Sequence, residues 1–409
     1  MKTTSNQPFP KDHIKVVLLE GIHQSAIDAF ASESYQVQAL PGSLSGNELI
    51  DAVRHAHIIG VRSGTKLTTD VLQHAQRLLA VGSYCIGTNQ IALKTAADHG
   101  TAVFNAPYAN SRSVVELAVG EMIMLLRRTF ERSMQTHAGE WHKSANGSHE
   151  LRGKTLGIIG YGNIGKQLSV IAEALGMKVL YHDIQTVLTM GNAQSVSLRR
   201  LLSAADVVTI HVDGRAANAN LIGYEQLALM KPTAVLLNLS RGHVVDQQAL
   251  AQALRQHQLA GAAVDVYPDE PDKGGTVTSP LQGLPNVILT PHIGGSTEEA
   301  QAAIGTFVSN KIIGFVNTGD TSLSVNLPNV SLPAQQNCHR LLHIHRNVPG
   351  VMAKINQLLA DRGANTVGQY LATAGDIGYS ITDTDQAHGP EIKAALAKLP
   401  ETIKLRLLY

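Results

Sequence analysis

The sequence predicts an α/β protein built from a Rossmann-type doubly wound parallel sheet, a flavodoxin-like α/β domain ahead of it, and a C-terminal ferredoxin-like α+β domain. Three observations predict this. A glycine-rich turn sits between an apolar strand and a helix at residues 156–183. Short apolar runs alternate with amphipathic stretches on both sides of that turn, the pattern of parallel βα units. The last 72 residues, 338–409, read strand, helix, strand, strand, helix, strand, the order of a ferredoxin-like sandwich. A chain of 409 residues is also too long for a single core.

Taken in order, Lys15 to Leu19 reads as a strand, Gln24 to Phe30 as a helix, and His57 to Val61 and Leu78 to Val81 as further strands. Arg62-Ser63-Gly64-Thr65 and the run Gly82 to Asn89 follow two of these strands, at the edge where open α/β sheets bind ligands. Asn105-Ala106-Pro107 interrupts the pattern. Ser111 to Arg128 then reads as one long helix, with Ser113 and Glu116 spaced as a capping box. We place the first boundary there, giving a substrate domain at 1–107. A dinucleotide-binding domain spans 108–295, and a segment completing the first domain, with a linker, spans 296–337. The ferredoxin-like domain is 338–409.

The second domain opens on Leu156-Gly157-Ile158-Ile159, a buried strand, followed by Gly160, Gly162 and Gly165 at G-x-G-x-x-G spacing. The first glycine permits the tight turn, the second lets backbone approach a pyrophosphate, and the third lets helix pack on strand. The helix from Asn163 through Ala174 presents free N–H groups to phosphate. A second apolar run, Met177 to Leu180, leads to Asp183, close to the position roughly 20 residues on where a carboxylate takes a ribose 2′-hydroxyl and repels a 2′-phosphate. The pattern predicts NAD rather than NADP.

Further strands are expected at Asp206 to Val212, Ala234 to Leu239, Gly261 to Val266 and Val287 to Thr290, with a helix from Asp246 to His257. Ser240-Arg241-Gly242, Asp265 with Asp269-Glu270-Pro271, and Pro291 to Gly295 fall at the carboxyl ends of the last three strands. Oxidising a 2-hydroxy acid needs a base, a group that orients it, and a cation for the carboxylate. His292 suits the base, Glu270 the orienting carboxylate and Arg241 the clamp. Lys143, in a polar loop with Trp141, is a candidate substrate cation.

Composition narrows the function. The chain is 44% hydrophobic and 16% charged, with net charge +1, so there is no electrostatic case for nucleic acid or an anionic membrane. No apolar run approaches the ~18 residues of a membrane span, and residues 1–13 lack the apolar core of a signal peptide. Cys85 and Cys338 offer no disulfide framework or metal cluster. We expect no metal and a cytoplasmic location.

The fingerprint, with Ser240-Arg241-Gly242, Asp269-Glu270-Pro271 and Pro291 to Gly295, resembles the D-isomer-specific 2-hydroxyacid dehydrogenases. Cys85 to Gln90, Phe104 to Pro107, Thr290 to Ser296 and Leu341 to Gly350 extend the resemblance over nearly the whole chain from about Ile14. It implies that Arg241, Glu270 and His292 are catalytic. Gly160, Gly162, Asn163, Ile164, Gly165, Asp183, Leu239, Asp265, Gly294 and Gly295 would hold the cofactor. Arg62 and the loop carrying Ser83, Ile86 and Gly87 would face substrate. It further implies oxidation of 3-phosphoglycerate (3-phospho-D-glycerate) to 3-phosphohydroxypyruvate, the entry to serine synthesis. Pro41 and Gly64 depart from the pattern, standing where Lys and Arg are usual.

After the long helix Ser296 to Val316 and the linker Asn326 to Pro333, the tail resembles an ACT domain, which in related enzymes pairs across subunits and binds L-serine. His345, Asn347 and Asn365 would be the effector residues, and the assembly a homo-oligomer, a tetramer through its Rossmann and ACT domains. Two alternatives stand beside this reading. One is a dehydrogenase for another D-2-hydroxy acid, such as glycerate or 2-hydroxyglutarate. The other is a non-catalytic NAD sensor of the C-terminal-binding-protein type.

Overall fold

A computed structural model describes residues 10–271, 275–333, 338–385 and 389–408. The N-terminal residues 1–9 and the end of the linker, 334–337, lie outside them. The chain divides into two compact units, residues 1–109 with 301–409, and residues 110–300.

The first unit begins with β1 (Lys15–Leu18), α1 (Gln24–Ser32), β2 (Gln36–Ala39), α2 (Gly46–His55), β3 (Ile58–Val61), α3 (Thr69–Gln73), β4 (Ala80–Ser83), α4 (Leu93–Asp98) and β5 (Ala102–Phe104). Its five strands form a wholly parallel sheet in the order β2-β1-β3-β4-β5. β3 and β4 are buried at every residue, as expected of a sheet covered by helices on both faces. Sequence periodicity missed β2, an edge strand with three of four residues exposed, and α2, α3 and α4, of which α3 and α4 span only five and six residues.

The second unit contains α5 (Ser111–Arg127), α6 (Thr129–His137), β6 (Thr155–Ile159), α7 (Asn163–Ala174), β7 (Lys178–His182), β8 (Gln194–Ser195), α8 (Leu198–Ala204), β9 (Val207–Ile210), α9 (Tyr224–Leu227), β10 (Val235–Asn238), α10 (Gln247–Arg255), β11 (Gly261–Val264) and β12 (Val287–Leu289). Its seven strands are parallel, in the order β12-β11-β10-β9-β6-β7-β8. The order reverses beside β6, the topological switch point at which such sheets bind ligands.

One local expectation fails. α5 starts two residues before Ser113, at Ser111, and its N-cap Asn110 makes no side-chain cap bond. Ser113 instead bonds Thr297 Oγ1 at 2.9 Å, and Glu116 pairs with Arg112. The spacing is that of a capping box, but the i,i+4 cation and a hydroxyl partner distant in sequence take both side chains. The helix ends at Arg128, whose φ of 52° is the left-handed conformation that breaks α5 from α6.

The long helix α11 (Glu298–Thr318) brings Ile304, Val308, Ile312 and Phe315 into the core of the first sheet. These positions, spaced 4, 4 and 3, make one helical stripe, each worth roughly 1.5–3 kcal/mol of burial. The segment after it is tied to β5, since Asn326 accepts the Val103 N–H at 2.8 Å and donates to Thr101 O at 2.9 Å.

The tail comprises β13 (His339–Arg346), α12 (Val351–Ala360), β14 (Thr366–Ala374), β15 (Ile377–Thr384), α13 (Gly389–Leu396) and β16 (Thr402–Leu408), an antiparallel sheet in the order β14-β15-β13-β16. Leu341 packs with the helices α12 and α13. Leu342, Ile344, Tyr379 and Ile381 share a core with α11 and the first sheet. Both faces of the tail sheet are therefore covered, which is why β15 is buried at all eight positions. Arg340 and Asp383 close this junction as a buried two-pronged pair at 2.7 and 2.8 Å, and the Arg340 guanidinium also donates to Thr318 O and Leu332 O. β14 is the exposed edge, with Val367, Tyr370 and Leu371 open to solvent.

Candidate active site

The glycine turn has the geometry its spacing predicts. Gly160 adopts φ +90°, and a Cβ there would stand 2.6 Å from His211 O; a Cβ at Gly165 would stand 2.5 Å from Gly160 O. Only a glycine serves at either position. A Cβ at Gly162 would meet nothing within 4 Å, so the backbone there lies open to a ligand. Gly162 caps α7 without a side-chain bond, leaving first-turn amides at Asn163 and Ile164 for phosphate oxygens. Asp183, one residue past β7, accepts the Tyr161 N–H at 2.7 Å and the Gln185 N–H at 2.9 Å. The carboxylate is thereby aimed beside the glycine turn. These residues fit NAD: the turn leaves room for a pyrophosphate, and Asp183 stands where a ribose would lie.

At the carboxyl ends of β10 to β12, three groups converge. His292 Nδ1 lies 2.6 Å from Glu270 Oε2, and Glu270 Oε1 accepts the Tyr267 N–H at 3.0 Å. An ionised carboxylate only accepts, so Nδ1 carries the proton and Nε2 is left for substrate. The hydrogen bond to Glu270 raises the His292 pKa, outweighing burial, which lowers it; Arg241 also lowers it by charge. Burial pushes Glu270 up, but the hydrogen bonds from His292 and Tyr267, with the charge of Arg241, hold it below its ordinary value. Arg241 thus acts electrostatically on both partners. Its carbonyl accepts from Asn238 Nδ2 at 3.1 Å and its Nη1 donates to Ser240 O at 2.6 Å.

His292 itself has φ +54°, an uncommon backbone state for a residue with a side chain. Asp265 holds it there. Buried to 1% exposure, Asp265 accepts from Thr290 Oγ1 at 2.6 Å, Ile293 N at 2.8 Å and Gly294 N at 2.9 Å. Its carboxylate is committed to the loop, and Gly294 leaves it room, since a Cβ there would stand 3.0 Å from Asp265 Oδ2. Leu239 is buried beneath the same edge, and Gly295 lies against Asn110. Sequence reasoning missed Glu121, on α5. It is fully buried with both carboxyl oxygens unpartnered among the described residues, and burial, then the charge of Asp265, pushes its pKa up to about 8.

The other predicted residues are placed differently. Arg62 follows β3, half-buried. Ser83 is fully buried and its hydroxyl donates to Gly87 O at 2.8 Å. The Ser83 hydroxyl thus supports its own loop. Ile86 O is taken by Asn105 Nδ2 at 2.6 Å. Lys143 lies in an exposed loop beside Trp141, which is 81% exposed, and no contact joins it to the His292 cluster. In the tail, His345 is buried with Nδ1 on Arg346 O at 2.9 Å and Nε2 unpartnered. Asn347 Nδ2 donates to Gly375 O at 3.0 Å. Asn365 is exposed and pairs through its backbone with Asp385. Arg346 pairs with Ile377 at one end of β15, and Thr366 with Thr384 at the other. Asn347 bonds Asp376 and Asn365 bonds Asp385 through their backbones, so the two asparagines sit at opposite ends of the sheet, roughly 30 Å apart along it at ~3.4 Å per residue. Among the described residues there is no cluster able to hold a metal ion and no helix long and apolar enough to cross a membrane.

Comparison with known proteins agrees with this architecture. Residues 119–294 match the NAD binding domain of the D-isomer specific 2-hydroxyacid dehydrogenases, and residues 341–404 match an AHAS small subunit-like ACT domain. The structure is similar to D-lactate dehydrogenase from Aquifex aeolicus, solved with NAD and lactic acid, with a TM-score of 0.65 and 26% identity over 74% of this chain and 95% of that one. The sequence is 48% identical over 403 residues to D-3-phosphoglycerate dehydrogenase of Dictyostelium discoideum, covering 98% of each chain. It is 47% identical over 404 residues to the enzyme of that name from Escherichia coli strain K12, again covering 98% of each. With the glycine turn, the His292–Glu270 pair and the C-terminal sheet all in one chain, the protein belongs to the D-3-phosphoglycerate dehydrogenase family of NAD-dependent D-isomer-specific 2-hydroxyacid dehydrogenases.

Proposed function

We propose that this chain oxidises 3-phospho-D-glycerate to 3-phosphohydroxypyruvate with NAD, the first step of L-serine biosynthesis. The 2.6 Å pair of His292 Nδ1 and Glu270 Oε2 at the strand ends beside the glycine turn carries this reading. NAD, when bound, supplies the hydride acceptor, held by the amides at Gly162 to Ile164 and by Asp183, with Leu239, Gly294 and Gly295 beside it. His292 Nε2 takes the hydroxyl proton as the C2 alcohol becomes a ketone. Glu270 stabilises the imidazolium that results. Arg241 offers a planar fork to the substrate carboxylate, and Arg62 and Lys143 supply charge for its phosphate. Arg241 also opposes the raising of the His292 pKa, keeping the base closer to neutrality.

The absence of cations at Pro41 and Gly64 favours a second reading, a dehydrogenase for another D-2-hydroxy acid. In the tail, the separation of Asn347 and Asn365 supports an effector site completed by a second copy of the chain. Asn347 and His345 of one copy would meet Asn365 of the other, across edges such as the exposed β14. L-serine, with both a carboxylate and an ammonium, suits amides that donate and accept. The same pairing makes the protein a homo-oligomer, and we place it in the cytoplasm. NADH oxidation with 3-phosphohydroxypyruvate, repeated with L-serine, tests the substrate and the effector. We expect turnover that serine suppresses. Absence of turnover with this substrate, but turnover with 2-oxoglutarate or hydroxypyruvate, would replace the first reading by the second.

A further inference from the structure

Two side chains outside the cofactor and catalytic sets hold the peptide of Arg62 from both sides. Glu20, just past β1, accepts the Arg62 N–H on Oε1 at 3.1 Å, the Gly64 N–H on Oε2 at 2.9 Å and the Thr65 N–H on Oε1 at 2.8 Å. Gln90 donates from Nε2 to Arg62 O at 2.7 Å and to Ser83 Oγ at 3.0 Å. Its own carbonyl accepts the Leu67 N–H at 2.8 Å. Gln90 thereby joins the loop after β3 to the loop after β4. Glu20 adopts φ +64°, a conformation unusual for a residue with a side chain.

We propose that Glu20 and Gln90 are positioning residues that set the direction of Arg62 toward the substrate anion, an inference that rests on Arg62 being a substrate contact. The chemistry has two parts. Converging backbone N–H groups such as those at 62, 64 and 65 form an anion-receptive concavity. Glu20 fills it with a carboxylate of the chain itself, so the loop offers no amide site to a phosphate or carboxylate. What the loop then presents is the Arg62 guanidinium, which has no partner among the described residues. Gly64 fits this arrangement, because a Cβ there would stand only 3.1 Å from Glu20 Oε2. The usual second cation is missing at that position, so recognition rests on one arginine whose peptide is fixed at both N–H and C=O.

The test is a mutant cycle on the full-length enzyme: E20Q and Q90L, each alone and combined with R62A, with Q90M as a second variant should Q90L fold poorly. We expect E20Q and Q90L each to raise the KM for the hydroxy acid roughly tenfold, the scale of a lost hydrogen bond to a positioning group. The KM for NAD and the kcat should stay near their parent values. In the R62A background neither change should raise KM further, because the clamp acts through Arg62. An unchanged KM in E20Q and Q90L while R62A raises it overturns the proposal and leaves Arg62 in place. The same factor in the presence and absence of Arg62 also overturns it, as the signature of a merely structural role. An R62A enzyme with unchanged KM overturns the substrate reading of Arg62 itself.

Discussion

The carboxyl ends of the two parallel sheets solve the same problem with different chemistry. In each, a carboxylate accepts three hydrogen bonds from a loop that carries a functional side chain. Asp265 does so for the turn carrying His292, and Glu20 for the turn carrying Arg62. The difference lies in what the carried residue meets. His292 is paired at 2.6 Å with a second carboxylate, so its proton affinity is tuned. The Arg62 guanidinium has no hydrogen-bond partner among the described residues and remains an open charge. A base needs a partner to set its tautomer and pKa, whereas a cation for a substrate anion is strongest when no internal carboxylate neutralises it. The first arrangement should control kcat, the second KM.

Removing His292 breaks that contrast most severely. H292A should lower turnover by about 10²–10⁴-fold, the usual contribution of a general base, while NADH binding, followed by its fluorescence, persists. A protein that acted only as an NAD sensor would bind NADH equally well before and after the change and show no turnover in either form.

E270Q should have a smaller and more specific effect. Oxidation requires neutral His292, so the rate climbs with pH through the His292 pKa and levels off above it. Glu270 raises that pKa. The rising limb for E270Q should therefore move to lower pH, and the limb for the reverse reduction, which needs the protonated form, should move the same way. Paired pH profiles in the two directions check both signs. A limb that stays in place would mean that Glu270 orients the ring without setting its charge.

The smallest expected effect is on stability. Glu121 stays protonated to about pH 8 in the fold but ionises near its ordinary value when unfolded. The folded state therefore binds the extra proton between these limits, and stability falls as pH rises from about 4.5 to about 8. E121Q, which cannot ionise, should remove this slope. Its melting temperature should match the parent near pH 4.5 and exceed it increasingly toward pH 8. Parallel melting curves for the two proteins over that range would show that Glu121 is not the group responsible.

Much of the second unit was legible because its function is written in short local motifs. Gly160 to Gly165, Asp183, Ser240-Arg241 and Pro291 to Gly295 each sit within one strand and the turn after it, so spacing alone reveals them. Glu20 and Gln90 were not legible, since their partner Arg62 is 42 and 28 residues away in sequence. One rule would have found Glu20, that polar residues just past a parallel strand face the ligand edge. The capping box at Ser113 shows the converse, as a correct local pattern lost to a hydroxyl partner at Thr297, 184 residues away. The internal bond of Ser83 to Gly87 O was not legible either.

The sequence by itself determined the fold classes and the cofactor turn, and singled out three candidate catalytic residues, because apolar periodicity and glycine spacing are local properties of the chain. Only the tertiary structure decided that Asp265 is spent on its own loop, that Arg62 is clamped on both sides, and that Asn347 and Asn365 lie at opposite ends of one sheet. Each of these depends on which strands become neighbours and in what register. That is settled by packing whole apolar faces together, Ile304 to Phe315 against one sheet and Leu342 with Tyr379 against the same core, and no single stretch of sequence contains it.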